Sequence, residues 1–219
     1  MNILVTGSRG RIGRYIVKDL LTAGHAVFGV DLQPATDKSS PYLGVDLTDT
    51  GQVYQAVAWA EPDAVVHMAA WPDAGKVPDT VTYGDNVLGT YNLFKACTDM
   101  GVKRVVSAST NQIYGFAGAP PIYVPVDEDH PLRPINSYAL SKIAGESAAD
   151  YFVQNHGMTI LSFRLMGVRM PAVLPGEIEA MQAEPARGAR LLWTRTDARD
   201  AAMACRLAIE AKTIESGPY

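Results

Sequence analysis

Short apolar runs alternate with segments of helical spacing along the whole chain. Ile3-Leu4-Val5 reads as a first strand, followed by a glycine-rich turn and by Tyr15-Ile16-Val17-Lys18-Asp19-Leu20-Leu21 at helical spacing. Gly24 stops that helix, and Ala26-Val27-Phe28-Gly29-Val30 reads as the second strand. Residues 51–60 and 86–100 predict helices on either side of a strand at Ala64-Val65-Val66. Lys103-Arg104-Val105-Val106-Ser107 and Thr159-Ile160-Leu161-Ser162-Phe163 predict two more strands, separated by a helix over 137–155. These strands are continuously apolar, as strands are when helices cover both faces of a parallel sheet. The pattern therefore predicts an α/β fold built on a doubly wound parallel sheet. The proline-rich stretch 118–135 has neither period and reads as a surface loop near the strand ends. The Met and Leu positions of 199–211 read as core packing. No linker or repeat interrupts the alternation, so residues 1–219 are expected to form a single domain.

Composition narrows the class. With 219 residues, 47% of them hydrophobic, the chain can bury a good-sized core. A formal net charge of -4 favours neither nucleic acid nor an anionic membrane as partner. No apolar stretch approaches the length of a membrane span. The first residues run straight into a strand without a basic segment or cleavage site, so a cytoplasmic location is expected. Cys97 and Cys205 both fall in helical segments and read as small buried hydrophobes, and no residue grouping suggests a metal site.

Thr6-Gly7-Ser8-Arg9-Gly10-Arg11-Ile12-Gly13 joins the first strand to the first helix. Glycines there permit a tight turn, close backbone approach to a diphosphate and close packing of helix on strand, in a Rossmann-type fold. The helix N-terminus then presents free N–H groups and a positive dipole end to the phosphates. Asp31 ends the second strand, where a carboxylate can accept hydrogen bonds from both ribose hydroxyls of an adenosine and would repel a 2′-phosphate. That favours NAD over NADP. Arg9 and Arg11 argue the other way, since a guanidinium in the turn can neutralise such a phosphate. Asp46-Leu47 follows a third short strand, placed to touch the adenine.

Tyr138 and Lys142 stand four apart at the start of a helix, hence on one face. A phenol is a poor base at neutral pH, and an ammonium beside it lowers its pKa. Tyr138 could then exchange a proton with a substrate hydroxyl as hydride moves at the same carbon. Such a pair alone is commonly a surface coincidence. The strand ending in Ser107-Ala108-Ser109-Thr110 adds weight, because it carries hydroxyls to the sheet's carboxyl edge, where doubly wound folds bind ligands.

Jointly these segments resemble the extended short-chain dehydrogenase/reductases, the NAD-dependent epimerase/dehydratase family. The Thr6-to-Gly13 turn, Asp31, Asp46-Leu47, His67-Met68-Ala69-Ala70, Asn86-Val87-Leu88-Gly89-Thr90, Ser109-to-Gly115 and Tyr138-to-Lys142 carry the resemblance over residues 1–170. It implies a hydride-transfer enzyme with Tyr138 as acid and base. Lys142 would bind the nicotinamide ribose and tune the tyrosine, and Thr110 would hold the substrate oxygen. Gly7, Arg9, Gly10, Arg11, Ile12, Gly13, Asp31, Asp46, Leu47, Ala69, Ala70 and Asn86 would bind the cofactor, Asn86 also supporting the central helix. Ser109, Asn111 and Arg164 would face the substrate. His67 is expected to be structural.

The chain departs from the family at its C-terminal part. Where members acting on nucleotide sugars carry an asparagine after the sixth strand, this chain has Gly167. Only a short stretch separates Pro171 from Arg199-Asp200, so residues 165–198 are expected to form a reduced substrate-binding region. The resemblance is nearer to compact members such as the uronate dehydrogenases and implies a sugar or sugar acid as substrate. A nucleotide-sugar 4-epimerase or dehydratase that retains its NAD is the alternative, and a non-catalytic NAD-sensing protein another. Arg164, Arg169 and Arg195 could each meet a substrate carboxylate or phosphate, or form surface ion pairs. Trp193 reads equally as a pocket wall or a core aromatic. Tyr91, Phe94, Tyr151 and Phe152 lie on the two helices that commonly form a dimer interface in the family, which implies a homodimer through 86–100 and 137–155. The other reading packs these aromatics on the sheet.

Overall fold

Successive side chains of a strand point to opposite faces, and here both faces are dry. The computed structural model describes residues 1–34, 39–73 and 75–219. On β1 (Asn2–Thr6), Ile3 and Val5 enter one core and Leu4 the other. The same division separates Val106 from Val105 on β5 (Arg104–Ala108), and Leu161 from Ile160 on β6 (Thr159–Phe163). Adding β2 (Ala26–Asp31), β3 (Tyr42–Gly44), β4 (Ala64–His67) and β9 (Gly217–Pro218) gives a parallel sheet in the order β3-β2-β1-β4-β5-β6-β9. The expected doubly wound Rossmann-type sheet is therefore present.

Register fixes what reaches the carboxyl edge. Val5, Val66, Val106 and Leu161 form one row across the sheet, and the next row is Thr6, His67, Ser107 and Ser162. Across these four strands the sheet thus changes from apolar to polar within one residue, while all four polar side chains stay buried. This edge lies where the strand order turns back between β1 and β4, the switch point at which such sheets bind ligands.

Helices α1 (Gly13–Thr22) and α6 (Ala198–Glu210) cover one face, and α2 (Thr50–Ala60), α3 (Asp79–Asp99) and α4 (Ser137–His156) the other. Asp49 and Asn136 cap α2 and α4 by accepting from the Gln52 and Ala139 amides. Phe94 and Phe152 meet edge to face, 5.8 Å between centroids, deep in the second core. Tyr91 and Tyr151 remain half exposed, so the four aromatics divide between core and surface.

Several boundaries differ from the sequence pattern. Helix α3 starts at Asp79 rather than 86; its first turns, rich in β-branched residues and Gly84, have weak propensity and are held by burial of Thr82. Helix α5 (Leu174–Ala183), the short parallel pair β7 (Val168–Arg169) and β8 (Thr196–Asp197), and the two-residue β9 carried no readable period. Met203 and Leu207 are exposed, against the expectation of core packing. Helix α6 instead buries Ala201, Ala202, Cys205, Ala208 and Ile209, because small side chains let it lie close on the sheet. Cys97 and Cys205 are fully buried, and burial pushes both thiols up to about 12. Among the described residues no helix is long and apolar enough to cross a membrane.

Phe152→Ala would leave a cavity between α3 and α4 and should cost about 3–5 kcal/mol in urea unfolding, against about 0.5 kcal/mol for Tyr151→Ala on the surface. Equal costs would contradict the division of the aromatics.

Candidate active site

The buried polar row is hydrogen-bonded into the fold. Thr6 Oγ1 lies 2.7 Å from His67 Nδ1 and accepts from the Ala69 amide at 3.2 Å. The other ring nitrogen, Nε2, lies 3.0 Å from Thr90 Oγ1, so a hydroxyl partners each side of the imidazole. Burial, with the positive charge of Lys142 nearby, pushes the imidazole down to about 3. His67 is thus a neutral tie between β1, β4 and α3.

Above this row lies the glycine turn. Gly7 has φ +66°, and a Cβ there would stand 2.7 Å from the Ala69 nitrogen. A Cβ on Gly13 would stand 2.0 Å from the Gly7 carbonyl oxygen. Only glycine fits either place. No side chain caps the start of α1, so its positive end opens toward the cleft. At the end of β2 the Asp31 carboxylate is held by the amides of Arg9 at 2.9 Å and Gln33 at 3.2 Å. The Arg9 guanidinium lies over the Tyr42 ring, 4.9 Å from its centroid. Arg11 is exposed and 3.7 Å from Asp73.

Thr110 follows β5, and its hydroxyl caps the one-turn 3-10 helix Asn111–Tyr114. Capping by Asn136 puts Tyr138 and Lys142 on the first two turns of α4, with Nζ 5.8 Å from the phenol ring centroid. Both side chains are buried. Burial pushes the Tyr138 phenol up to about 12; Asp73 adds to this, while a hydrogen bond from Thr110 and the charge of Arg11 oppose it. The expected lowering by Lys142 is not among these influences, and desolvation is the largest of them. Burial pulls Lys142 down to about 8, against the opposing pull of Glu146.

One cleft of about 830 Å³ brings together Gly7, Gly10, Arg11, Ile12, Gly13, Asp31, Asp46, Leu47, Ala69, Ala70, Asn86, Ser109, Thr110, Asn111, Tyr138 and Lys142. Asp46 also accepts from the Thr48 amide and hydroxyl at 2.9 and 2.7 Å. The Asn86 amide is taken up by Trp71 N and O and by Ser141, so its side chain braces α3 against α4 and the β4–α3 loop.

Four expectations need correction. Arg9 is not among the residues that line the cleft: its guanidinium packs on Tyr42, and its amide serves Asp31. Arg164 does not face the substrate region either. Its fork is bidentate on Glu146 at 3.1 and 2.8 Å, and it reaches the Tyr114 hydroxyl and the Glu128 carbonyl. Ser109 likewise spends its hydroxyl on Glu146, at 2.5 Å. Arg169 and Arg195 share Glu177 as ion-pair partner, and of the two only Arg169 lines the cleft. Trp193 is neither pocket wall nor core; it is half exposed, donating to the Pro185 carbonyl at 2.8 Å.

Sequence reading missed Glu146 and Trp71. Glu146 continues the four-residue stripe Tyr138, Lys142, Glu146, a signal that was available. Trp71 lines the cleft with its indole N–H on Asp85 at 2.8 Å, and no spacing pointed to it.

A histidine with a depressed pKa stabilises above its unfolded value and loses that contribution as pH falls. Between about 6.5 and about 3 the unfolded chain takes up a proton at residue 67 that the folded chain refuses. From pH 6.5 to 5 the wild type should therefore lose about 2 kcal/mol more unfolding free energy than His67→Gln. Identical losses in urea titrations would show that His67 is not held neutral.

Comparison with known proteins agrees with this geometry. Residues 3–216 match the NAD dependent epimerase/dehydratase family. The L-arabinose 1-dehydrogenase (NAD(P)(+)) of Haloferax volcanii is 31% identical over 98% of this chain and 84% of its own length. The UDP-glucose 4-epimerase of Lactobacillus helveticus is 31% identical over 77% of this chain, which spans only 52% of that enzyme. Among solved structures, a short-chain dehydrogenase/reductase superfamily protein from Agrobacterium tumefaciens with bound NAD superposes with a TM-score of 0.82 and 27% identity, covering 99% of this chain and 76% of that one. This chain belongs to the NAD-dependent epimerase/dehydratase family.

Proposed function

We propose that this chain is an NAD-dependent dehydrogenase that oxidises a hydroxyl-bearing carbon of a free sugar. The observation that carries the reading is the convergence of Thr110, Tyr138 and Lys142 in the cleft that also holds the glycine turn and Asp31. The residues fit the cofactor: Gly7 and Gly13 leave backbone where any Cβ would collide, and Asp31 is oriented by two amides for ribose hydroxyls. NAD, when bound, supplies the hydride acceptor. Thr110 holds the substrate oxygen, and Tyr138 takes the hydroxyl proton as the carbon loses hydride. Lys142, an ammonium below about 8, anchors the nicotinamide ribose.

The cleft beside Thr110 supports a neutral sugar over a sugar acid. Arg164 is turned away onto Glu146, and Arg169, which lines the cleft, is held together with Arg195 on the single Glu177 carboxylate. Carboxamides of Asn111, Gln112 and Asn136 line that end instead, and they suit neutral hydroxyls. Similarity to the arabinose dehydrogenase over most of both chains points the same way. The second reading, a UDP-sugar 4-epimerase that keeps its NAD, rests on the similarity to the Lactobacillus enzyme. We also propose pairing of two copies through α3 and α4, supported by the exposed Tyr91 and Tyr151.

Incubation with NAD and a panel of pentoses, hexoses, uronic acids and UDP-glucose separates these readings. Net NADH from neutral sugars is expected; altered UDP-sugar without NADH would establish the epimerase instead. With its phenol at about 12, Tyr138 gains phenolate as pH rises, so the oxidation rate should climb about tenfold per unit below the Lys142 limit. Tyr138→Phe should lower kcat by ~10²–10⁴-fold and flatten that slope. An unchanged rate would remove Tyr138 from the mechanism.

A further inference from the structure

Beneath the catalytic pair lies a second buried cluster with Glu146 at its centre. Glu146 stands one helical turn beyond Lys142, on the same face of α4. Its carboxylate accepts from Ser109, the residue before Thr110, and grips the Arg164 fork on the first residue after β6. Arg164 in turn donates to the Tyr114 hydroxyl at 3.0 Å and to the Glu128 carbonyl at 2.6 Å. The carboxylate is 14% exposed and the guanidinium 8%, so this is an interior ion pair joining four segments of chain.

We propose that Glu146 is a positioning residue, the shared anchor that holds Thr110 at the end of β5 and Lys142 on α4 in working register. The inference rests on the dehydrogenase reading for what that register serves. Two links carry it. Through Ser109, Glu146 fixes the backbone that presents Thr110 to Tyr138. Through space, its negative charge favours the ammonium of Lys142, whose other near neighbours are the neutral His67 and the Tyr138 phenol. Around Glu146 itself stand Arg164, Asp150 and the Tyr114 phenol. Burial alone would strip Lys142 of its proton at a lower pH, and Glu146 delays that loss.

The test is titration of Lys142 in protein carrying ¹³Cε-lysine, its resonance assigned by its loss in Lys142→Met. In Glu146→Gln the midpoint should fall by about one pH unit, and the alkaline limit of sugar oxidation should move down with it. An unpaired Arg164 threatens the fold of that variant, so Glu146→Gln/Arg164→Met is measured beside it, with circular dichroism as the check on folding. The double variant should shift in the same direction but by less, because loss of the more distant Arg164 cation partly offsets loss of the carboxylate. A midpoint unmoved in a folded variant would overturn the proposal and leave Glu146 a packing residue. The titration needs no substrate, so it decides the role of Glu146 even if no sugar yields NADH; that second failure would strike the dehydrogenase reading alone.

Discussion

A lysine ammonium buried at the carboxyl edge of a parallel sheet is the constraint on which the rest of the site depends. Removing a full charge from water costs several kcal/mol unless neighbours compensate. Here burial drags Lys142 toward about 8, and the structure answers with a carboxylate one turn away and a neutral imidazole below. Burial and the Lys142 charge hold His67 neutral, and Thr6 and Thr90 supply hydrogen-bond partners for both ring nitrogens. The abrupt change from the valine row to the Thr6, His67, Ser107, Ser162 row supplies the polar partners at the one level where they are needed.

A second constraint, steric rather than electrostatic, governs the other end of the cleft. Gly7 and Gly13 meet backbone so closely that the turn, the start of α1 and the end of β4 form one interlocked unit. The same contact brings the Ala69 amide to Thr6, so the cofactor end and the polar row share a hydrogen bond. The glycine turn and the buried polar row are therefore joined directly through β1 and β4. Asn86 extends the connection by bracing Trp71 against Ser141 on α4.

Much of this was legible in the sequence because each element had its own physical signal. Continuous apolar strands announced a sheet covered on both faces, and the glycine spacing announced the turn. Tyr138 and Lys142 were placed on one face by helical periodicity alone. What escaped reading had long-range causes. Arg164 looked like a substrate ligand because its partner, Glu146, lies 18 residues earlier on another element. The burial that raises the Tyr138 phenol depends on everything packed around it, which no four-residue spacing encodes. Strand β9 owes its place to pairing with Leu161 and Ser162 rather than to its own Gly217-Pro218. Helix α6 misled through Met203 and Leu207, since Ala198, Ala201, Ala202, Cys205, Ala208 and Ile209 form the packed face.

The central claim is that hydride leaves a sugar carbon while Tyr138 receives the proton from its oxygen. Its most direct test is a single-turnover reaction with a free aldose deuterated at the carbon to be oxidised, followed by mass spectrometry of the recovered cofactor. The account predicts deuterium on the nicotinamide ring of NADH formed by the wild-type chain, and much slower label transfer by Tyr138→Phe. Cofactor recovered as unlabelled NAD, with every aldose returned unchanged, would contradict it.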